Sequence, residues 1–503
     1  MHYRSLIVLC FAGISIASCS DDDDTGGDGS GGTSSTGGKG ATGGSAGKAS
    51  AGSSGMGTGG GASGGLAAMG GAGGELSMGG VPGSDGGVPG ADGGVPGGEG
   101  GTPATDGGSG GDPTESTCVF PASAALADAA VPKGFCAWNF ATDIPKARGI
   151  TIDSAGNVLV VSAKSNDVIA LWDDDGDGVS STSERATIAS ANGLNHGIAI
   201  HGGFLYASSP GGVVRWEYAA DRQPLGTATV VINAIPSGGH ATRTLAFDDD
   251  YLYVTVGSGG NVDNNSERAR IRRFPIDGLS TPTAFAEGEV FADGLRNEVG
   301  IRFDSQGRLW GVENGRDELE REDLGGDIHE DNPAEELNLF AEPGKFYGYP
   351  YCFSEYALPD GIGMGPGTQW ADPTFIDDGT HTDAWCQNED NVVPPVLSMQ
   401  GHSAPLDLLF YHGSAFPSSL AGDLLVTFHG SWNRSTATGY KVVLIPFGAD
   451  GLPSGAPEPF LESAGAAEND WPHRPVGLAV LPSGVLLVTS DASGRIIAVG
   501  YTP

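Results

Sequence analysis

The sequence predicts an all-β fold, a six-bladed β-propeller, because one phrase recurs six times along it. In each copy but the fifth, a polar residue opens an apolar strand, and a turn leads to a second apolar strand. The copies occupy residues 148–162, 196–209, 243–256, 297–313, 404–428 and 474–490. A period of roughly 40 to 50 residues with Asp/Gly turns is typical of propeller blades of about four strands each. Since the innermost strands line a central channel, their opening residues can lie at its mouth.

The first 18 residues are predicted to be a secretory signal. His2 and Arg4 precede an apolar run at 6–17 that is too short to span a bilayer. The residues before Cys19 resemble the lipobox of bacterial lipoproteins, in which the cysteine becomes the lipidated N-terminus. We expect a protein exported and lipid-anchored to the bacterial cell envelope, at the outer membrane or facing the periplasm. The alternative is an ordinary signal in which Cys19 is incidental.

Residues 19–117 are predicted to be a disordered linker. They consist largely of Gly, Ser, Ala and Asp, and such a composition cannot bury a core. The remaining residues, 118–503, are long enough for one six-bladed propeller. We therefore expect a tethered domain that touches the membrane only through its lipid anchor.

Four cysteines lie in the predicted domain. An even number in an exported domain favours disulfides, and sequence proximity pairs Cys118 with Cys136 and Cys352 with Cys386. The alternative, a zinc site, lacks a Cys-x-x-Cys or closely spaced His/Cys set.

The net charge of −37 makes nucleic acid or an anionic membrane surface an improbable partner. In so acidic a chain, five arginines at or beside inner strand starts, or at the turns leaving them, stand out: Arg148, Arg243, Arg296, Arg434 and Arg474. Several guanidinium groups that face the same channel mouth repel one another and lose hydration, so anions must lie beside them. Either neighbouring carboxylates or an anionic ligand can supply these anions. A ligand that accepts bidentate hydrogen bonds from several arginines would be planar and polyanionic.

His240 lies on the loop that enters the third blade. A neutral imidazole there could take a proton from a substrate hydroxyl, as a general base does near neutral pH. The alternative is a loop histidine that only forms hydrogen bonds with the backbone. His196 and His402 are expected to have this structural role.

Acidic residues at 173, 175, 177 and 184, with Gly178 among them, match a twelve-residue calcium loop. Asp173, Asp175, Asp177 and Glu184 are thus candidate calcium ligands. Because the flanking segments look like strands, we expect a structural loop rather than a sensor EF-hand. A merely solvated acidic turn is the alternative.

Residues 314–403, between the fourth and fifth blades, show little strand alternation. Their aromatic residues and the predicted disulfide favour an ordered segment. Aromatic rings there could stack on a sugar, or they could equally be packing.

Six motifs in the predicted domain together resemble one enzyme family. They are Gly-His-Ala-Thr-Arg-Thr-Leu-Ala-Phe at 239–247, Gly-Leu-Arg-Asn-Glu-Val-Gly at 294–300, Glu-Asn-Gly-Arg-Asp at 313–317, Pro-Ala-Glu-Glu-Leu-Asn at 333–338, Tyr-Gly-Tyr-Pro-Tyr-Cys at 347–352 and His-Gly-Ser-Trp-Asn-Arg at 429–434. In this order they are similar to the sorbosone dehydrogenase and soluble aldose dehydrogenase family, which includes quinoprotein glucose and pyranose dehydrogenases. The resemblance covers about 141–501.

The resemblance implies a propeller that holds pyrroloquinoline quinone (PQQ), a planar tricarboxylate, with calcium over the channel mouth. His240 would take the proton of the sugar's anomeric hydroxyl, and Arg296, with Asn297 beside it, would polarise a quinone oxygen. Arg434 and Arg474 would hold cofactor carboxylates. Arg243 is also expected to contact the cofactor. The carbonyl oxygens of Gly315 and Arg316 are expected to bind the calcium ion.

The implied function is oxidation of an aldose or related carbonyl sugar, with electrons passed to a respiratory quinone or cytochrome. The chain departs from the glucose dehydrogenases of the family at two cofactor contacts: Arg434 replaces a lysine, and 472–474 keeps only one arginine of an Arg-x-Arg pair. A glutamine of the first blade has no counterpart.

Two alternatives follow. One is a non-catalytic binding or scaffold lipoprotein. The other is a calcium-dependent propeller lactonase, which would need acidic residues opening the inner strands, where none is expected.

Overall fold

The structure is a computed structural model, and it describes residues 125–502. The predicted signal, the whole predicted linker with Cys19, and Cys118 lie outside the described residues.

Six sheets of four or five strands form the six blades, so the predicted propeller is confirmed. The first strand of each blade contacts the first strands of both neighbouring blades, which closes an inner ring. Each predicted copy of the repeat forms the first two strands of one blade.

The first three blades contain the following strands. Blade one is Ala147–Ile152, Val158–Ser162, Asp167–Leu171 and Arg185–Ser190. Blade two is Ile198–His201, Phe204–Ser209, Gly212–Glu217 and Thr229–Asn233, with Thr283–Ala284 on its outer edge. Blade three is Leu245–Phe247, Tyr251–Val256, Arg270–Pro275 and Glu289–Asp293, with Lys345–Phe346 outermost.

The last three blades contain these strands. Blade four is Glu298–Phe303, Leu309–Glu313, Glu335–Phe340 and Leu397–Met399. Blade five is Pro405–Phe410, Leu424–Phe428, Lys441–Ile445 and Glu458–Ser463, with Ala129–Ala130 outermost. Blade six is Pro475–Val480, Leu486–Ser490, Arg495–Tyr501 and, from the other end of the domain, Phe135–Ala141.

Blade six closes the ring by joining the two ends of the domain. Phe135–Ala141 pairs antiparallel with Arg495–Tyr501, so that Phe135 lies opposite Tyr501. The outermost strand of this blade is therefore the first long strand of the described chain.

The hydrophobic core is divided among the interfaces between blades. Six clusters of buried residues each join two neighbouring blades, and together they run round the whole ring. Trp310 of blade four, for example, is fully buried with Leu408 of blade five. Burial at about 25 cal/mol per Å² of apolar surface makes these interfaces the main source of stability. No helix among the described residues is long and apolar enough to cross a membrane.

Glycine follows the opening residue of the inner strand in blades one and two because the inner strands approach closely. A Cβ added to Gly149 would lie 2.0 Å from the carbonyl oxygen of His196, and one on Gly197 would lie 2.2 Å from that of Arg243. Only glycine fits such a backbone contact. The Arg-Gly and His-Gly phrases of the repeat thus bring the opening side chains of successive blades close together.

The segment 314–403 differs from the expected irregular linker between blades. It contains Glu335–Phe340 and Leu397–Met399, the two outer strands of blade four, and the remainder forms two insertions in that blade. The alternation of apolar and polar residues was weak because Glu335–Phe340 is buried on both faces and Leu397–Met399 is only three residues long.

Short elements order the insertions. Two small ribbons form from Glu320–Arg321 with Gly326–Asp327 and from Cys352–Ser354 with Gln369–Ala371. One α-helical turn at Asp383–Cys386 and one 3₁₀ turn at Glu322–Leu324 also lie in the insertions. Elsewhere in the described residues, 3₁₀ turns occupy Ile276–Ser280, Phe285–Glu287, Ser418–Leu420 and Glu468–Asp470.

The disulfide between Cys352 and Cys386 is present, as predicted. Cys136 is also disulfide-bonded, and Cys118, its expected partner, lies outside the described residues.

Candidate active site at the channel mouth

The imidazole of His240 is held with one nitrogen free to accept a proton. Its Nδ1 lies 3.0 Å from the hydroxyl oxygen of Ser258. That hydroxyl donates its single hydrogen to the carbonyl of Gly260 at 2.7 Å, so it must accept from His240. The hydrogen-bond network therefore assigns the proton of neutral His240 to Nδ1 and leaves the lone pair on Nε2. This is the tautomer that a general base needs.

The surroundings of His240 keep it uncharged. Burial, followed by the charge of Arg296, lowers its pKa to about 3. An imidazole with this pKa is neutral throughout the physiological range, because both effects disfavour the protonated form. His240 thus has its base form available in the structure as it stands.

Gly257 brings His240 and Asn297 to the same spot. A Cβ at Gly257 would lie 2.6 Å from the Cβ of His240 and 2.7 Å from the Oδ1 of Asn297, so a side chain there would displace both. Asn297 is only partly buried, and within residues 125–502 its side-chain amide makes no hydrogen bond. An open amide beside a free imidazole nitrogen can bind and orient a polar ligand.

Arg296 is paired with a carboxylate that the sequence analysis did not identify. Its Nη2 donates to Asp317 at 2.9 Å, and the guanidinium is almost fully buried. Although burial opposes ionisation, contacts with His402 and Arg296 hold the pKa of Asp317 below its usual value. The Glu-Asn-Gly-Arg-Asp motif contains Asp317, but nothing in the spacing shows which arginine it meets.

Arg296 also occupies a carbonyl that was expected to bind calcium. Its Nη1 donates to the carbonyl oxygens of Gly315 at 2.6 Å and Asn314 at 3.3 Å. In this structure the guanidinium supplies the positive charge at that turn. The expected role of Gly315 as a calcium ligand stays a prediction, and a cation at its carbonyl would compete with the hydrogen bond from Arg296. No hydrogen bond to the carbonyl of Arg316 is found in the described part of the chain.

Asn433 and His402 complete the network around Asp317. The amide of Asn433 donates to Asp317 at 2.7 Å, and Nδ1 of His402 lies 3.7 Å from the same carboxylate. The Oδ1 of Asn433 is buried without a partner. His402 has a positive φ of 64°, a conformation disfavoured for side chains with a Cβ, so the surrounding contacts hold it in place. His402 was given no role from the sequence, yet it lies within this network.

Arg243 is engaged by backbone carbonyl groups of its own blade interface. It is fully buried, and its guanidinium donates to the backbone carbonyls of Pro210, Pro236, His240 and Thr242. Through these bonds Arg243 fixes the loop that carries His240, and its expected contact with the cofactor stays a prediction. Sequence position alone could not distinguish these roles, because both place an arginine at the start of an inner strand.

Arg434 is neutralised within the chain. It lies 3.2 Å from Asp331 and 3.7 Å from Glu330, with only 9% of its side chain exposed. From the sequence, either carboxylates of the chain or an anionic ligand could neutralise this arginine, and the structure has these two carboxylates beside it. The charge of Arg434 is therefore already neutralised in this structure without a cofactor carboxylate.

Arg474 is the arginine whose charge remains available. It donates to the carbonyls of His429 at 3.0 Å and Gly430 at 2.7 Å, and its Nη1 makes no hydrogen bond to any residue in 125–502. No acidic side chain of that range lies within 4.0 Å of it. A partly buried guanidinium without a carboxylate partner favours an anionic ligand.

A second ion pair lies next to Arg474 at the channel mouth. Arg148 meets Asp491 at 2.7 Å, and the other carboxylate oxygen contacts His429 at 2.8 Å. Although burial opposes ionisation, His429 and Arg148 hold the pKa of Asp491 well below its usual value. Arg148 is thus paired, and His196, which lies 3.3 Å from it, is buried with a strongly lowered pKa.

Blade four contains buried acids that the sequence analysis did not single out. Glu298, Glu313, Glu335 and Glu336 are each less than a tenth exposed. Burial is the largest cause that raises the pKa of every one of them. Glu298 opens the inner strand, contrary to expectation, but it faces Asn338 inside the blade rather than the channel. It therefore adds no acidic ligand at the channel centre.

The acidic loop of blade one is formed as predicted between two strands. Carboxylate oxygens of Asp173, Asp175 and Asp177 lie within 4.8 Å of one another. Glu184 accepts hydrogen bonds from the backbone of Asp174 and Ser181, so it fixes the loop from its far end. The three aspartates are close enough to share one cation.

Comparison with known proteins agrees with this geometry. The TrAA12-like family model matches residues 129–502. A PQQ-dependent pyranose dehydrogenase of Coprinopsis cinerea is 33% identical over 390 residues, which are 70% of this chain and 52% of that protein. The chain thus spans about half the length of this curated relative.

Two solved structures share the fold at similar identity. The holo form of the PQQ domain of pyranose dehydrogenase from Coprinopsis cinerea is 30% identical with a TM-score of 0.66, covering 76% of this chain and 99% of that one. The calcium structure of the Trichoderma reesei AA12 enzyme is 31% identical with a TM-score of 0.67, covering 75% and 97%. The chain therefore belongs to the TrAA12-like family, in agreement with the resemblance to PQQ-dependent sugar dehydrogenases.

Proposed function

We propose that the chain is a quinoprotein sugar dehydrogenase that oxidises an aldose or related carbonyl sugar with PQQ as its cofactor. The observation that carries this proposal is the free Nε2 of neutral His240 beside the open amide of Asn297. The names of the relatives support the reaction class.

Two groups at the channel mouth fit a planar polyanion. The Arg474 guanidinium has no carboxylate partner among the described residues, and the side-chain amide of Asn297 makes no hydrogen bond within the described chain. Arg474 would hold a cofactor carboxylate through a charge-assisted bond. Asn297 would donate to a quinone oxygen, and Arg296 would join it once its guanidinium turns away from the carbonyls of Asn314 and Gly315. When bound, PQQ supplies the two-electron acceptor of the oxidation.

His240 carries out the proton transfer. Oxidation of a cyclic aldose to its lactone removes the anomeric hydroxyl proton and a hydride from the anomeric carbon. Nε2 of His240 accepts the proton, while Ser258 holds Nδ1 and so fixes the ring orientation. Gly257 leaves room for this arrangement at the loop. A positioned general base contributes typically about 10²–10⁴-fold to rate.

Calcium is proposed at two places. The carbonyls of Gly315 and Arg316 remain candidates beside the cofactor, provided that Arg296 turns away from Gly315. The loop of Asp173, Asp175, Asp177 and Glu184 is the candidate structural site, since hard oxygen ligands suit this ion. A calcium structure of a relative supports the presence of the ion in the family.

The cellular setting is proposed from the sequence alone. We propose export, lipidation at Cys19 and anchoring to the cell envelope, with a respiratory quinone or cytochrome as the electron acceptor.

Reconstitution tests the function. Purified protein is mixed with PQQ and Ca²⁺, and sugar oxidation is followed with a redox dye, for the wild type, His240→Ala and His412→Ala. His412 is an exposed histidine away from the site and serves as the matched control. We expect His240→Ala to lower kcat about 10²–10⁴-fold while the absorbance titration with PQQ is unchanged. A wild-type protein whose titration shows no PQQ binding would refute the proposal and favour the scaffold alternative.

A further inference from the structure

Trp432 is an exposed aromatic residue on the loop that also carries Asn433. It leaves 71% of its surface exposed, more than any other large apolar residue in the range 125–502. Exposure of so large an apolar ring is unfavourable in water, and isolated cases need no explanation. Here, however, the indole lies immediately before a residue of the site.

The loop around Trp432 is held on both sides. Ser431 and Thr438 exchange two hydrogen bonds, of 2.8 and 3.0 Å, and Tyr440 donates to the carbonyl of Ser431 at 2.7 Å. On the other side, the carbonyl of Asn433 meets His329 at 3.1 Å. The indole is therefore presented from a fixed backbone, and little entropy is lost when a ligand contacts it.

The position of Trp432 relative to the site follows from Asn433. The amide of Asn433 points inward to Asp317, which pairs with Arg296. Trp432 is exposed to solvent, and its Cα lies ~3.8 Å from that of Asn433. Its ring is therefore available to a part of a substrate that extends from the site into solvent. A pyranose ring presents a face of C–H groups, which matches an indole face by burying apolar area.

We propose that Trp432 forms a second sugar subsite, in which the indole stacks on the pyranose unit next to the one that is oxidised. The preferred substrates are then the reducing ends of di- or oligosaccharides rather than free monosaccharides. This inference rests on the proposed function for the reaction, but sugar binding to the indole is independent of the cofactor.

The test compares cellobiose with glucose as probes. Wild type, Trp432→Ala, Trp432→Phe and Met364→Ala are loaded with PQQ and Ca²⁺, and KM and kcat are measured for both sugars. Met364 is a matched control because it is 68% exposed and takes no part in the site. In parallel, tryptophan fluorescence of the cofactor-free proteins is followed during titration with cellobiose.

We expect Trp432→Ala to raise KM for cellobiose about 10-fold, which corresponds to about 1.4 kcal/mol of lost stacking, with a much smaller effect on glucose and kcat. Trp432→Phe, which keeps a stacking ring, should recover most of the affinity, and Met364→Ala should match the wild type. The fluorescence response to cellobiose should disappear in Trp432→Phe and persist in Met364→Ala.

The outcomes separate the two proposals. Equal KM values for cellobiose in wild type and Trp432→Ala would overturn the subsite, as would a wild-type fluorescence that does not respond to cellobiose. If no variant oxidises sugar but the fluorescence response still depends on Trp432, the subsite stands and the dehydrogenase function fails.

Discussion

Replacing Glu335 by glutamine should change how the stability of the protein depends on pH. Glu335 is 3% exposed, and its oxygens accept hydrogen bonds from the backbone of Ala404 at 3.0 Å and Gly315 at 2.8 Å. No lysine or arginine of residues 125–502 forms an ion pair with it. Burial raises the pKa of Glu335 from 4.5 to about 7, and the contacts with His402 and the two N–H groups only partly oppose this.

The sign and size of the effect follow from the pKa difference. Below pH 4.5 both folded and unfolded chains bind the proton. As the pH rises to about 7, the unfolded chain loses its proton while the folded chain keeps it, so folding becomes less favourable. A difference of 2.5 pKa units at 1.36 kcal/mol per unit is about 3 kcal/mol, lost by about pH 7 and constant above it.

The assay is urea unfolding of the cofactor-free protein in EDTA, followed by tryptophan fluorescence from pH 5 to 8. Glu335→Gln loses one backbone acceptor, which lowers the free energy of unfolding by a similar amount at every pH. The slope against pH is therefore the quantity to compare, with the exposed Glu342→Gln as the control. Parallel pH profiles for wild type and Glu335→Gln would show that Glu335 is already ionised in the folded protein.

Three further changes have expected outcomes. Arg474→Gln should weaken PQQ binding about 10- to 100-fold in an absorbance titration, because a charge-assisted bond is lost, and an unchanged affinity would rule out that contact. Asp407→Ala should lower the free energy of unfolding by about 3 kcal/mol in urea, because it leaves the Arg302 of blade four, now bound at 2.7 and 3.0 Å, without its partner. A loss below about 1 kcal/mol would show that solvent screens the pair. Replacing Cys352 and Cys386 together by serine should lower stability by about 3–4 kcal/mol, since their bond closes a loop of 34 residues, and reducing agent should then have no additional effect on that loop.

The inner half of every blade could be predicted from the sequence because its signal is local. A polar opener, a glycine and an apolar strand recur at 148–152 and 196–200, and each of these requirements acts within a few residues. The outer strands of blade four lack this local signal. Glu335–Phe340 is buried on both faces, and each of its three polar side chains has a hydrogen-bond partner in another segment of the chain. Their pairing is set by contacts that the local sequence does not contain.

The site was predicted in its residue types but not in its pairings. His240 and Asn297 were identified through motifs, and the structure places both beside Gly257. The role of each arginine depends instead on a partner elsewhere in the chain. Asp491 reaches Arg148 across 343 residues, whereas Arg243 is surrounded by carbonyls. Arginine at a strand start thus indicates where charge lies, and only the fold determines what neutralises it.

The closure of blade six affects the order in which the domain can fold. The contact between Arg495 and Asn139 spans 356 residues, whereas the strands of the first five blades pair mostly with nearby segments. At a synthesis rate of about 5–20 residues per second, Phe135–Ala141 waits roughly 20–70 s for its partner strand to be made. Throughout that time it has an unpaired edge of the kind that other chains can join. Pairing between segments so far apart in the sequence is also slow, so ring closure is expected to be the last step of folding. The time before closure is the time during which the chain can aggregate through this strand edge.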